Sequence, residues 1–328
     1  MEEFSYARVG DAPAALKEVH GDSRARYLAG GTTLIDLMKL NVETPRRVVD
    51  INHLPLTKIE VTDGGVRIGA LVRNSDMAYH KTIRTRYPVL SEALLSGATA
   101  QIRNMATLGG NLLQRTRCSY FRDLAWGCNK RQPGSGCAAI DGYNRSHAVL
   151  GTSDKCIATH PSDMCVALAA LDAVIATQTT DGGGRRIPIG EFYVPYGDDP
   201  AKENTLQPGE LITAVELPNT AFFAKSHYLK VRDRASFEFA LVSAAVALDI
   251  QGGTIRAARL ALGGVATKPW RATDAEKALV GAKAEETAFA QAAQAALQSA
   301  KPQKFNAFKI ELAKRCIVRA LSTVTAMA

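Results

Sequence analysis

Gln101-Ile102-Arg103-Asn104-Met105-Ala106-Thr107-Leu108-Gly109-Gly110-Asn111-Leu112 is a polar run closing on a Gly-Gly-Asn turn. Further on, Thr159-His160-Pro161-Ser162-Asp163 opens a helix: Ser162 stands where an N-cap belongs, and Asp163 to Leu171 carries an apolar helical face. Between the two lies a loop, residues 116–158, that holds Cys118, Cys128, Cys137 and Cys156. A second glycine bend stands upstream. There Arg26 to Ala29 reads as a brief strand running into Gly30-Gly31-Thr32-Thr33, and Leu34 to Leu40 continues as a helix. Strand, glycine turn and helix together turn bare backbone N–H groups towards an anion, although the same pattern also makes a plain β–α turn.

The cysteine spacings are C-x9-C, C-x8-C and C-x18-C. Structural zinc usually takes its thiolates in pairs two to four residues apart, and this loop has no such pair. A [4Fe–4S] cube takes one sulfur per iron and tolerates wider separations. Gly134-Ser135-Gly136 ahead of Cys137 lets backbone wrap a bulky inorganic core. Spacing alone leaves cluster, zinc, disulfides and unrelated thiols all open. Cys165 and Cys316 sit in apolar helical patterns and read as buried structural thiols.

Outward from these segments, the pattern predicts strands at Phe4–Val9, Arg47–Ile51, Ile59–Val61 and Val66–Ala70, the last two joined by a Thr62-Asp63-Gly64-Gly65 hairpin turn. Helices are expected at Ala12–Val19, Asn74–Tyr79 and Pro88–Gly97. Ala173–Thr179 and Arg185–Ile189 form a strand pair, and Leu211–Leu217 is a strand closed by Pro218. Composition shifts near Thr220. Three consecutive strands follow (His227–Arg232, Ala240–Ile250, Ile255–Leu262), then an Ala-rich helix over 272–300. A last helix beyond Pro302 carries Phe305, Phe308, Leu312, Cys316, Ile317, Leu321 and Val324 near helical spacing. An antiparallel sheet followed by helices gives an α+β class.

Apolar content of 46% and charged content of 22% over 328 residues fit a soluble globular chain with room for two or three cores. No run approaches a membrane span. The acidic start, Met1-Glu2-Glu3, lacks the basic and apolar regions of a signal peptide, so the chain is expected to carry no export signal of its own. The net charge of +8 is spread along the chain without a basic helix or an aromatic stripe, which argues against nucleic acid.

Taken together, these segments resemble the FAD-binding medium subunit of the xanthine oxidase and molybdenum hydroxylase family. They look most like the subclass with an extra [4Fe–4S] cluster, as in bacterial periplasmic aldehyde oxidoreductase and 4-hydroxybenzoyl-CoA reductase. The matching stretches run from Leu28-Ala-Gly-Gly-Thr-Thr-Leu34 with Leu37-Met-Lys39 through Gln101–Asn104 with Thr107–Arg115, Cys118-Ser-Tyr-Phe121, Cys128-Asn-Lys-Arg131, Pro133–Cys137 and Cys156–Asp163. They continue with Gly209-Glu-Leu211, Lys230–Ser236 and Leu262–Arg271.

The resemblance implies a two-part FAD-binding domain of the PCMH type at 1–220, followed at 221–328 by an α+β domain like that of CO dehydrogenase flavoproteins. It implies that Leu28, Ala29, Gly30, Gly31, Thr32, Thr33 and Leu34 wrap the FAD pyrophosphate. Thr107, Gly109, Gly110 and Asn111 form a second phosphate and ribityl clamp near Gln114, and Ile102 lies by the isoalloxazine. Asp163, with Ser162 and His160, holds the adenosine ribose, while Ile212 and Lys230 close over the cofactor. Cys118, Cys128, Cys137 and Cys156 ligate the [4Fe–4S] cluster. Thr33 departs from the family's more usual acidic or amide residue, which a backbone phosphate grip tolerates.

Implied partners are a large molybdopterin-binding subunit, a small subunit with two [2Fe–2S] clusters, and an external electron acceptor. The implied location is the cytoplasm, or the periplasm if a partner bearing a twin-arginine signal exports the folded complex. Two rival classes are an independent flavoenzyme and a structural zinc-loop subunit without a redox role.

Overall fold

The computed structural model describes residues 1–197 and 199–327. β1 (Ser5–Arg8), β2 (Ala25–Leu28) and β3 (Arg47–Asp50) form a parallel sheet in the order β1-β3-β2. Its central strand buries Val48 and Val49 completely. The crossover helix Ala12–Val19 starts at Asp11, whose carboxylate accepts the Ala14 N–H at 2.8 Å.

β4 (Ile59–Thr62), β5 (Gly65–Gly69), β6 (Val174–Gln178), β7 (Arg186–Pro188) and β8 (Leu211–Pro218) make an antiparallel sheet in the order β4-β5-β8-β6-β7. The cysteine loop is therefore an excursion between β5 and β6, strands of the same sheet.

A third sheet, antiparallel throughout, has the order β12-β11-β10-β9, from β9 (Ser226–Val231), β10 (Val242–Gln251), β11 (Thr254–Gly263) and β12 (Trp270–Arg271). Its near-continuous apolar strand, Val242 to Leu248, is buried on both faces. Val242, Ala244, Val246 and Leu248 join the C-terminal core with Cys316, Ile317 and Leu321 of helix Phe308–Thr325. Ala245 and Ala247 face the other way, into the core built by helices Pro88–Ser96 and Asp163–Ala170 and the five-stranded sheet. Period-two alternation thus sends one strand into two cores, and the small alanines on the second face allow close packing.

The Ala-rich stretch differs from the expected single helix. It divides into Thr273–Leu279 and Glu286–Ala296. Gly281 takes φ +86° between them, and its N–H donates to Ile255 at 2.8 Å while Ile255 donates back to Ala282 at 2.9 Å. Strand-like bonding to β11 thereby outcompetes helix continuation. Phe305 lies ahead of the last helix, which begins at Phe308. Among the described residues, no helix is long and apolar enough to cross a membrane.

Candidate cofactor site

The two glycine bends pack directly on each other. A methyl group at Gly30 would overlap the Met105 carbonyl and come within 3.1 Å of the Ala106 Cα, so only glycine fits. Gly31 follows with φ +73°. A polar lattice fastens the contact. Asn52 Nδ2 donates to Ala29 at 2.9 Å and to Asp50 at 2.8 Å, and Asn52 Oδ1 accepts from Arg73 at 3.3 Å. Arg73 also donates to the Met105 carbonyl, and Asn74 N–H donates to Ala106 at 2.9 Å. Burial raises the Asp50 carboxyl pKa, but bonds from Tyr6 and Asn52 outweigh it and hold the group below its usual range.

The bends differ in what they offer. Leu28 to Leu34 are all half-exposed, and among the described residues the N–H groups of Gly30, Gly31, Thr32 and Thr33 donate to no protein acceptor. In the second bend the amides are bonded within the protein. Leu108 donates to Val72 at 3.0 Å, Gly109 to Ala70 at 2.8 Å, Gly110 to the Thr107 hydroxyl at 3.2 Å and Asn111 to Thr107 at 2.8 Å. That bend contributes shape and side chains. Its Gly-Gly-Asn segment is the body of the short helix Leu108–Leu112 rather than a reverse turn. Ile102 sits half-exposed in the preceding helix, Ala100–Met105.

A third wall comes from residues 160–163. Ser162 Oγ caps its helix, accepting Cys165 N–H at 3.1 Å, and donates to Asn111 Oδ1 at 2.7 Å. Gln114 donates to the same Asn111 oxygen. His160 accepts the Ser162 N–H through Nδ1 at 3.3 Å, leaves Nε2 buried without a partner, and is pushed down to about 3 by burial. Asp163, 9% exposed, accepts from Tyr228 at 2.6 Å and Lys230 at 2.7 Å. Ser162, Asp163 and His160 line a shallow cleft with Arg117 and Phe239. Ile212 stands apart, buried in the sheet core beside Thr213, which accepts the Ala70 N–H at 2.9 Å.

The cysteine loop is seated on the helix that leaves the first bend, Leu34–Lys39. Leu37 packs with Phe121 and Cys128, and Asp36 pairs with Arg117 at 3.0 Å and Arg122 at 2.9 Å. Asn129 Oδ1 accepts the Gly134 and Gly136 N–H groups at 3.1 and 2.9 Å, and both glycines have φ +85°. That turn sets Cys128 opposite Cys137 in an antiparallel bridge.

All six cysteines are free thiols. Burial pushes Cys118 up to about 11 and Cys156 up to about 12. Phe121 and Tyr120 N–H groups pull Cys118 back down, while Cys128 and Cys137 push it up. Cys156 is pulled down by Lys130 and the Ala158 N–H, and pushed up by Cys137 and Cys118. Cys137 is likewise raised by burial and opposed by the N–H groups of Ala139, Ile140 and Ile157. The four loop sulfurs therefore share one electrostatic neighbourhood supplied with backbone donors. Among the described residues, no three His, Cys, Asp or Glu side chains converge as ligands of a single ion.

Residues 2–220 match the family model described as the FAD binding domain in molybdopterin dehydrogenase, and residues 227–324 match the CO dehydrogenase flavoprotein C-terminal domain. The chain is 51% identical to the aldehyde oxidoreductase FAD-binding subunit PaoB of Escherichia coli K12, over the whole of both chains. It belongs to the FAD-binding subunits of the molybdenum hydroxylase family. The flavin subunit is also 32% identical to the glyceraldehyde dehydrogenase medium chain of Sulfolobus acidocaldarius, over 86% of this chain and 82% of that one. Its fold overlays a chain of reconstituted CO dehydrogenase from Oligotropha carboxidovorans with TM-score 0.78 at 25% identity, covering 99% and 98% of the two. As a member of this family it is an oxidoreductase subunit.

Several residues of the flavin subunit's site carry no sequence motif. Asn52, Arg73 and Asp50 bind the bends together across long chain separations. Beneath the cysteine loop, Glu203 receives Lys130 at 2.8 Å and Arg115 at 3.3 Å, and Lys130 lies 3.6 Å over the Tyr196 ring. Burial raises Glu203, but Arg115 and Lys130 win and hold its carboxyl below the usual value. A lone Glu or Lys in a polar stretch gives no signal of such pairing.

Proposed function

We propose that the flavin subunit carries both FAD and a [4Fe–4S] cluster in a heterotrimeric molybdenum-containing aldehyde oxidoreductase, with its FAD-binding part at 1–220 and its C-terminal part at 221–328. One observation carries the reading: a bend with free amides abuts a second glycine bend, and the helix leaving it seats a loop whose four thiols bear on one another electrostatically. The N–H groups of Gly30 to Thr33 bind the pyrophosphate, with Leu28, Ala29 and Leu34 framing the bend. Thr107, Gly109, Gly110, Asn111 and Gln114 hold the second phosphate and the ribityl chain, with Ile102 at the ring system. Asp163, oriented by Lys230 and assisted by Ser162 and His160, holds the adenosine ribose.

The four thiols fit a cube. They are uncrosslinked, backbone N–H groups favour the thiolates of Cys118, Cys137 and Cys156, and a cube spreads its sulfurs more widely than one zinc ion does. Bound FAD and cluster supply one- and two-electron chemistry, and the protein supplies orientation and electrostatic tuning. Electrons arrive from [2Fe–2S] centres of a small partner, having left an aldehyde at the molybdenum of a large partner, and depart to an external acceptor. The complex is read as cytoplasmic, or periplasmic if a partner bearing a twin-arginine signal exports it folded.

The visible spectrum and iron content of the purified complex test this reading. Flavin bands with cluster absorption are expected. Zinc in the loop with no iron, or a lone chain that oxidises aldehydes by itself, contradicts it.

A further inference from the structure

His147 is 3% exposed, and its Nε2 lies 3.1 Å from Cys118 Sγ. Its Nδ1 is buried without a partner. The backbone around it is fixed from several sides. His147 N–H donates to Asn144 at 3.0 Å, and its carbonyl accepts from Lys309 at 3.0 Å and Asn306 at 3.2 Å. Lys309 itself is fully buried, donating also to Ser146 at 3.1 Å and to Gly264, so the last helix clamps this end of the cysteine loop. The Tyr120 ring stands 6.2 Å away, tilted over the imidazole. The buried imidazole thus sits on a fixed stretch of backbone beside the sulfur.

We infer that His147 is a positioning and tuning residue for the cluster, its Nε2–H donating a hydrogen bond to the Cys118 thiolate. This rests on the cluster reading above. A thiolate bound to iron has no proton to give, so the contact requires the proton on Nε2. Nδ1 then remains an unpaired acceptor, which is a smaller burden in a protein interior than an unpaired N–H. The backbone N–H groups of Tyr120 and Phe121 also favour the Cys118 thiolate, and His147 adds a side-chain donor that substitution can remove. One-electron reduction, 2+ to 1+, adds negative charge to the sulfurs, so each donor favours the reduced form and raises the potential. No proton moves at His147 in that step.

The test uses the full chain in its complex, titrated with dithionite and followed by electron paramagnetic resonance and iron analysis. His147→Leu is expected to keep its iron and to be about tenfold harder to reduce, a midpoint lower by about 59 mV. His147→Gln, which retains an N–H, is expected to recover most of that shift. Full iron with an unshifted midpoint in His147→Leu overturns the inference. A second measurement needs no variant: reduced complex labelled with 15N-histidine should show a weak nitrogen coupling to the cluster. No coupling, or one as large as a direct iron–nitrogen bond, overturns the inference. Absence of any cluster signal in the unaltered complex instead brings down the cluster reading itself.

Discussion

In the proposed FAD site, Gly30 is the residue on which the contact of the two bends turns. Alanine there collides with the Met105 carbonyl, so the two bends must separate. Gly30→Ala is expected to weaken FAD binding more than about tenfold, or about 1.4 kcal/mol, by flavin titration. Gly10→Ala, with nothing within 4 Å of the added carbon, should leave binding unchanged. Glu203 tests the charge network under the loop. Its folded carboxyl titrates below its ordinary value of 4.5, so its contribution is present above that value and is lost as pH falls through the lower one. Glu203→Gln strands the buried Lys130, while Arg115 keeps Glu43, and should cost about 3 kcal/mol near pH 7 in denaturant unfolding. The deficit should shrink on acidification, and a deficit constant with pH contradicts the pairing. The glycines and cysteines were legible in the sequence because their chemistry is rare. Asn52, Arg73, Glu203 and His147 were not, because each matters only through a partner distant in the chain.

Among the elements, helix Asp163–Ala170 links the wall at residues 160–163 to the core shared with the five-stranded sheet. Ser162→Ala removes its cap together with the Asn111 bond. Thermal unfolding should show a loss of about 1 kcal/mol, with weaker flavin retention alongside. Full retention of both would mean that Asn111 is held by other groups. Most elements were readable from periodicity and turn residues. The hairpin at Thr62-Gly65, helix Ala12–Val19 and the long strands of the C-terminal sheet follow from local pattern alone. The break in the Ala-rich stretch was hidden because alanine favours helix everywhere, and the decisive bonds lie on Ile255. The short helices at 119–122 and 138–141 were likewise hidden, being single turns shaped by the loop's own packing.

At the scale of the whole molecule, the first glycine bend, the cysteine loop and the last helix are coupled in series. Asp36 and Leu37 join the first pair, and Lys309 and Asn306 join the second. Binding at either cofactor site should therefore stabilise the other, seen as a higher unfolding temperature for the doubly loaded protein. The central claim is one flavin and one four-thiolate cluster on a single chain, and iron and flavin content of the purified complex measures it directly. Unaltered protein should hold about one FAD and about four iron atoms on this chain beyond those of its partners, while Cys137→Ser loses those irons and keeps part of its flavin. Full iron content in Cys137→Ser, or a chain with neither flavin nor iron, contradicts the account.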